Sequence, residues 1–193
     1  SLLLAATALG ASCVGSDKLR YLLLRHKRVT PIPPSAGRPL RGVEKVSFYD
    51  NFTEQNLPEP IILENLDIFS EDVSTKLLSA NDNTSFDSIL TDPPYGIRAS
   101  LNHEKHQIIN RLLMLASTLL KDMGTLIFLF PEQGTETDIH TFQQEHFIYN
   151  LAVQHGFTVR NLGWERFQKN TLRMIAVLQR DKSIIPKSII PNT

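Results

Sequence analysis

The chain has 193 residues, of which 41% are hydrophobic and 21% charged, an ordinary globular composition from which a buried core can form. The single cysteine, Cys13, excludes a disulfide framework and indicates a reducing, cytoplasmic compartment, and no apolar run is long enough to span a membrane. The net charge is zero, but the segment from Lys18 to Lys45 carries +7 and the rest of the chain −7. This asymmetry indicates either a surface that faces nucleic acid or a solvated loop.

Helical and strand-like segments alternate along the first part of the chain. The predicted elements are a helix over 1–9 that Gly10 ends, a strand over 11–17, a helix over 19–28, a proline-rich loop over about 29–46, a helical turn over 51–56 and a strand over 60–66. Residues 1–9 are apolar and rich in alanine, which is typical of a helix packed on a sheet.

The alternation continues up to two final strands. The predicted elements are a helix over 70–79 with Ser70 as its N-cap, a strand over 86–91, a helix over 104–121 that Met123-Gly124 ends, a strand over 125–130 that Pro131 ends, a helix over 141–155, and strands over 157–164 and 171–179. One domain is therefore expected over 1–180, followed by a loosely held tail over 181–193.

This order of elements predicts the fold class. Alternating strands and helices favour an α/β architecture with a doubly wound, mostly parallel, Rossmann-like sheet. The last two strands follow each other without a crossover helix, so they should form a hairpin and leave one antiparallel strand at an edge of the sheet. Ligands of such sheets bind beyond the carboxyl ends of the strands.

Three predicted strands are followed by an acidic residue. Asp17, Asp67 and Asp92 should all project from the carboxyl edge of the sheet. Carboxylates in such positions can accept hydrogen bonds from ribose hydroxyls and from an adenine amino group. Taken singly, Asp17 and Asp67 are more typical of turn residues, since aspartate is common in turns. Three acids at the same edge, with Asp92 inside a motif, favour a nucleoside site.

The motif Asp92-Pro93-Pro94-Tyr95-Gly96 fits the methylation of an exocyclic amine. The lone pair of such a nitrogen is delocalised into its ring, so the Asp92 carboxylate and the Pro93 carbonyl can accept its N–H groups and aim the lone pair. Two prolines fix a stiff turn without competing donors. Tyr95 offers a flat face on which a flipped-out base can stack, and Gly96 lets the chain turn away closely. The alternative is a proline-rich turn after a strand.

The chain also resembles the tRNA guanosine-10 N2-methyltransferase family. The resemblance lies in 1–17, Asn51-Phe52, Asp67, Phe86–Arg98 and Leu112–Pro131, and more loosely in 163–180. The Asp-Pro-Pro-Tyr motif by itself is shared with DNA and protein amino-methyltransferases. Its combination with Ile97-Arg98 and with the flanking segments favours tRNA.

The resemblance implies a function and a set of site residues. It implies a Rossmann-like methyltransferase fold, S-adenosylmethionine as cofactor, and tRNA as the substrate whose guanine N2 amine is methylated. Family members also work with a small zinc-containing activator subunit. By the resemblance, Asp17 would hold the ribose and Asp67 the adenine of the cofactor. The remaining implied contacts are Ile68 and Asp92 for the cofactor, Asp92, Pro93, Pro94 and Tyr95 for catalysis, and Tyr95, Gly96 and Arg98 for the substrate.

Two features expected of the family are missing from the sequence. The glycine loop that cradles the cofactor and the N-terminal RNA-binding module should both precede Ser1, so the chain as given is expected to be inactive. The open alternatives are a DNA or protein amino-group methyltransferase and a non-catalytic methyltransferase-like binding subunit. A covalent intermediate is not expected, because Cys13 is predicted on a buried strand. The six histidines are interpreted as solvated side chains, and no metal site is predicted.

Overall fold

A computed structural model of the protein describes residues 2–17, 49–64, 66–93, 102–134, 146–168 and 171–184. These residues belong to two compact units, one formed by residues 1–70 and the other by residues 71–193. The elements are α1 (Leu2–Ala8), β1 (Val14–Asp17), α2 (Asp50–Glu54), β2 (Ile61–Glu64), α3 (Val73–Ala80), β3 (Phe86–Thr91), α4 (Asn102–Leu119), β4 (Leu120–Gln133), α5 (Phe147–Gln154), β5 (Phe157–Gln168) and β6 (Thr171–Arg180).

The unit of residues 1–70 contains a two-stranded parallel sheet. Strand β1 pairs with β2 in a register that places Val14 beside Ile61 and Asp17 beside Glu64. The helix α1 ends as predicted at Gly10, whose φ of +90° is a left-handed conformation that favours glycine. A Cβ atom at Gly15 would collide with the Leu3 side chain. The lack of a side chain at Gly15 therefore lets α1 pack closely on β1.

The unit of residues 71–193 contains a four-stranded sheet with the order β3-β4-β6-β5. Strand β3 is parallel to β4, whereas β6 is antiparallel to both β4 and β5. The predicted α/β fold with a C-terminal antiparallel hairpin is confirmed. The antiparallel strand was predicted at an edge of the sheet, and this position is wrong. The antiparallel strand is β6, which lies between β4 and β5. In this position both backbone edges of β6 find partners, and its alternate side chains are buried.

The core of this second unit lies between the sheet and the helices α4 and α5. One face of α4 is apolar at the helical spacing predicted from the sequence, and it packs against alternate residues of β4 and β6. The fully buried core side chains include Ile109, Leu113, Leu126, Phe128, Phe130, Ile148, Phe157 and Met174. Removing each such side chain from water stabilises the fold by about 1.5–3 kcal/mol.

The boundary between α4 and β4 differs from the prediction. Helix α4 ends at Leu119 and β4 runs from Leu120 to Gln133, so Met123-Gly124 does not end the helix and Pro131 does not end the strand. Among the described residues, β3 reaches only to Phe128 of β4, so Pro131 pairs there with β6 alone. A residue without an N–H is tolerated where only one side of the strand is paired.

Two smaller expectations are also wrong. Asp72 occupies the N-cap position of α3, without a side-chain capping bond, while Ser70 donates its backbone N–H to the Asp67 carbonyl at 3.0 Å. Cys13 precedes β1 and is half-buried, so it does not lie on a buried strand. The predicted helix over 19–28, the proline-rich loop over about 29–46 and the tail from residue 185 onward lie outside the described residues.

Candidate active site

The motif begins directly at the carboxyl end of β3. The strand ends at Thr91, the exposed Asp92 follows, and Pro93 is half-buried behind it. Thr91 lies beside Phe128 of the parallel strand β4, so the carboxyl ends of both strands point to the same edge of the sheet. An exposed carboxylate at this edge is accessible to a ligand. Pro94, Tyr95, Gly96 and Arg98 lie outside the described residues.

The two predicted cofactor acids belong to the first unit. Asp17 is the last residue of β1 and lies opposite Glu64 in the register of β1 and β2. Asp67 follows β2, is half-buried, and accepts the backbone N–H of Phe69 on its Oδ1 atom at 3.0 Å. The half-buried Ile68 lies within this turn. A side chain that bonds the N–H two residues later forms an Asx turn, so Asp67 does have the turn role that its residue type favours.

A buried polar cluster at the second unit's sheet edge was not anticipated from the sequence. The Glu132 cluster consists of Lys105 in the first turn of α4, Glu132 near the end of β4, and His146 immediately before α5. The Lys105 Nζ atom lies 3.1 and 2.9 Å from the two carboxylate oxygens of Glu132. The His146 Nε2 atom lies 3.1 Å from Glu132 Oε2. Lys105 and His146 are only 5% and 6% exposed.

The hydrogen bonds define the tautomer of His146. Its Nδ1 atom accepts the backbone N–H of Ile148 at 3.3 Å and thereby caps the N-terminus of α5. A ring nitrogen that accepts a hydrogen bond carries no proton, so Nε2 bears the proton and donates it to Glu132. His146 therefore bridges the start of α5 to the end of β4.

The surroundings of Glu132 favour its ionised form. Burial raises the pKa of this carboxyl, but the hydrogen bonds from His146 and Lys105 and the positive charge of Lys105 outweigh burial and hold the pKa below its ordinary value. The backbone N–H of Gln133 also points to Oε1 at 3.3 Å. A carboxylate that already accepts this many donors is poorly suited to take a proton from a substrate.

Aromatic rings pack around the cluster. The Phe147 ring lies 4.4 Å from the His146 ring and 4.3 Å from the His106 ring, between centroids, and Lys105 Nζ lies 5.5 Å from its centroid. Phe130 covers His146 from β4 at 5.4 Å. These rings exclude water, which strengthens the polar contacts inside.

The interpretation of every histidine as a solvated side chain is wrong for His146. No sequence signal marks it, because histidine is not among the usual N-cap residues. Glu132 could have been found by the rule that selected the three aspartates, an acid at the carboxyl end of a strand. It was missed because β4 was predicted to end at Pro131.

The described residues hold neither a candidate membrane-spanning helix nor a candidate metal site. None of their helices is both long and apolar enough to cross a membrane. Their histidine, cysteine, aspartate and glutamate side chains form no group of three or more that could hold a metal ion.

Several solved structures are similar to this chain at low sequence identity. A magnesium protoporphyrin IX methyltransferase from Synechocystis PCC 6803, solved with bound SAM, is 14% identical with a TM-score of 0.50, and the match covers 93% of this chain and 64% of that one. A methyltransferase from Pyrococcus furiosus is 18% identical with a TM-score of 0.39, covering 68% and 54%. TrmN from Thermus thermophilus is 16% identical with a TM-score of 0.39, covering 68% and 32%. The chain spans less than two thirds of each of these structures.

The first of these likenesses defines the class of protein, an α/β protein with a methyltransferase fold. The family follows from the sequence: the RMKL-like methyltransferase domain family matches residues 9–160, and the chain belongs to it. The methyltransferases of this family use S-adenosylmethionine, so the predicted cofactor is confirmed. Comparison with curated proteins gives no significant match.

Proposed function

We propose that this chain is the catalytic domain of a methyltransferase that transfers the methyl group of S-adenosylmethionine to the exocyclic N2 amine of a guanosine in tRNA. The observation that carries the proposal is the Asp92-Pro93 pair, which follows β3 with the carboxylate exposed. A methyltransferase domain needs a group that aims the acceptor at the carboxyl edge of its sheet, and Asp92 lies there.

The chemistry assigned to the motif is direct transfer between two bound substrates. The Asp92 carboxylate and the Pro93 carbonyl accept the two N–H groups of the amine and direct its lone pair at the methyl group. Tyr95 stacks on the base, Pro94 stiffens the turn, and Gly96 allows the chain to leave it. As the C–N bond forms, the bond between sulfur and the methyl carbon would break to leave a neutral thioether, and the amine would release one proton to solvent. Most of the rate comes from positioning.

The cofactor is assigned to the first unit's acids and to Asp92. Asp17, at the end of β1, accepts hydrogen bonds from the ribose hydroxyls, and Asp67 accepts one from the adenine amine, with Ile68 against the ring. The Asx turn supports the second assignment, because the bond from Phe69 holds the Asp67 carboxylate in one orientation. S-adenosylmethionine supplies an electrophilic methyl group on a positively charged sulfur.

The choice of tRNA rests on the sequence around the motif. By the resemblance, Arg98, six residues after Asp92, would bind RNA phosphates through its guanidinium. The +7 charge of the segment from Lys18 to Lys45 is compatible with binding of RNA phosphates and also with a solvated loop. A small zinc-containing activator subunit is proposed as a partner by resemblance alone.

Replacing Asp92 tests this function. In the full-length protein, Asp92→Ala should lower methyl transfer to tRNA by about 10²–10³-fold, because one of the two acceptors that orient the amine is lost. Transfer of radiolabelled methyl groups to tRNA, double-stranded DNA and peptide substrates is the measurement. Asp87→Asn, at the opposite end of β3, is the matched control and should retain wild-type activity.

The alternatives give different results in the same assay. Methylation of DNA or peptide but not of tRNA would show a different amino-group methyltransferase. Binding of tRNA without methylation of any substrate would show a non-catalytic subunit. If the Asp92→Ala variant methylates tRNA as well as the wild type does, Asp92 is not part of the catalytic site.

A further inference from the structure

The Glu132 cluster lies at the same sheet edge as the motif. Glu132 is four residues past Phe128, and Phe128 lies beside Thr91, the residue before Asp92. At about 3.3 Å per residue, the Glu132 backbone is within roughly 10–15 Å of Asp92 along this edge. Both residues belong to the second unit.

Stability alone does not account for a buried ionic cluster. Removing Lys105 and Glu132 from water costs several kcal/mol per ion, and apolar side chains of similar size often stabilise a fold as well or better. The described core next to the cluster is otherwise apolar. Directional bonds provide what apolar packing does not, a single fixed arrangement of the groups that they connect.

The cluster connects three segments whose relative placement matters for the motif. Glu132 receives Lys105 on both carboxylate oxygens and His146 on Oε2, so one carboxylate ties the start of α4 and the start of α5 to the end of β4. In the sequence, residues 94–101 connect Pro93 to α4. The three tied segments meet at the carboxyl edge of the sheet, to which Asp92 also belongs.

We infer that Lys105, Glu132 and His146 are positioning residues for methyl transfer: they tie the starts of α4 and α5 to the end of β4, at the carboxyl edge where Asp92 lies. The inference rests on the function proposed above. The cluster is assigned no contact with the reacting atoms, since its carboxylate is occupied by Lys105 and His146 and the Lys105 cation is buried. Loosening it should lower the rate of transfer more than the binding of substrate.

Two variants of the full-length protein separate positioning from stability. Glu132→Gln leaves the buried Lys105 cation unpaired and should lower both the melting temperature and kcat. The double variant Lys105→Met with Glu132→Gln removes both charges, so the melting temperature should recover. Its kcat for tRNA should stay about 10–10²-fold below wild type, with KM changed less than about threefold, because the directional link is absent.

The matched control is a lysine–carboxylate pair near the amino-terminal ends of β3 and β4, opposite the carboxyl ends where the motif begins. Lys121 Nζ lies 2.7 Å from Asp87 Oδ1, and both side chains are exposed. Asp87→Asn should leave kcat and the melting temperature close to wild type, because exposed pairs contribute little. A conservative change, Glu132→Asp, keeps the charge and should retain more activity than Glu132→Gln.

The outcomes distinguish this inference from the proposed function. If kcat of the double variant recovers together with its melting temperature, or if folded Glu132→Gln is as active as wild type, the positioning role is wrong. If the wild-type protein transfers no methyl group to tRNA, the proposed function is wrong. The same variants are then compared on the DNA or peptide that is methylated, where an unchanged kcat would again contradict the positioning role.

Discussion

The described residues of the unit 1–70 and those of the unit 71–193 bury their side chains to very different extents. Within the part of the chain that the structure describes, Phe52 is the one large, fully buried side chain of the first unit, whereas the second unit contributes the continuous core around Phe128 and Leu113. In the first unit Leu9 is 90% exposed and Ile61 is 50% exposed.

The difference follows from the two sheets. Strands β1 and β2 pair over four residues each, and parallel sheets are normally stable only when both faces are covered. In the second unit, β6 pairs on both sides and α4 buries one face of the sheet. Asp92, which is predicted to orient the acceptor, therefore belongs to the unit whose described residues are more extensively paired and buried. The predicted cofactor acids Asp17 and Asp67 belong to the other unit. Binding of the cofactor should stabilise mainly the first unit.

Truncating Phe128 should give the largest effect. Phe128→Ala removes a fully buried ring from the core of the second unit, so the free energy of unfolding should fall by about 3–5 kcal/mol. Urea denaturation with hydrogen exchange read separately over 1–70 and 71–193 is the measurement. An equal loss of protection in both units would show that they unfold as one cooperative body, which would contradict a difference in stability between them.

The next largest effect should be a loss of stability at acid pH that is confined to the second unit. The pKa of Glu132 is lowered on folding, so this carboxylate stabilises the fold above its ordinary value of 4.5 and loses that contribution as the pH falls through the lower folded value. Burial also lowers the pKa of His155, which removes stability as the pH falls below its ordinary 6.5. Glu132→Gln should cost about 1.5–3 kcal/mol at pH 7 and less at low pH.

The measurement is the unfolding free energy of wild type and Glu132→Gln from pH 7 to pH 3, with hydrogen exchange over residues 102–134 and 146–154. The two proteins should converge in the acid range. A difference that stays constant with pH would mean that the ionised carboxylate is not the stabilising species.

Adding a methyl group at Gly15 should give the smallest of the three effects. The Cβ of Gly15→Ala would meet the end of the flexible Leu3 side chain, which can move, so a loss of about 1 kcal/mol confined to residues 2–17 is expected. Thermal unfolding and hydrogen exchange of that segment measure it. A loss as large as that of Phe128→Ala would show that the first unit is as tightly packed as the second.

Much of the fold was predictable because it depends on local patterns. The apolar spacing of 104–121 predicted α4, and the run before Asp92 predicted β3 with its bounds 86–91. The two final strands predicted a hairpin because nothing between them can form a crossover helix. The position of Asp92 at a strand end followed from the same pattern.

The remaining features depend on contacts between residues distant in sequence. That β6 lies between β4 and β5 is decided by which strands pair, and hairpin connectivity is compatible with either position. Pro131 can continue β4 because β3 ends beside Phe128, before it reaches Pro131. Lys105 and Glu132 are 27 residues apart, and Glu132 and His146 are 14 apart, so no local pattern relates them.

The sequence by itself determined the elements, the α/β class and the acid at the end of β3, since helical and strand periodicity and proline stereochemistry act over a few residues. Only the tertiary structure decided that His146 is a buried cap and that Glu132 is an occupied acceptor whose pKa is lowered. Protonation and burial are properties of the surroundings, and those surroundings are assembled from α4, β4 and α5 together.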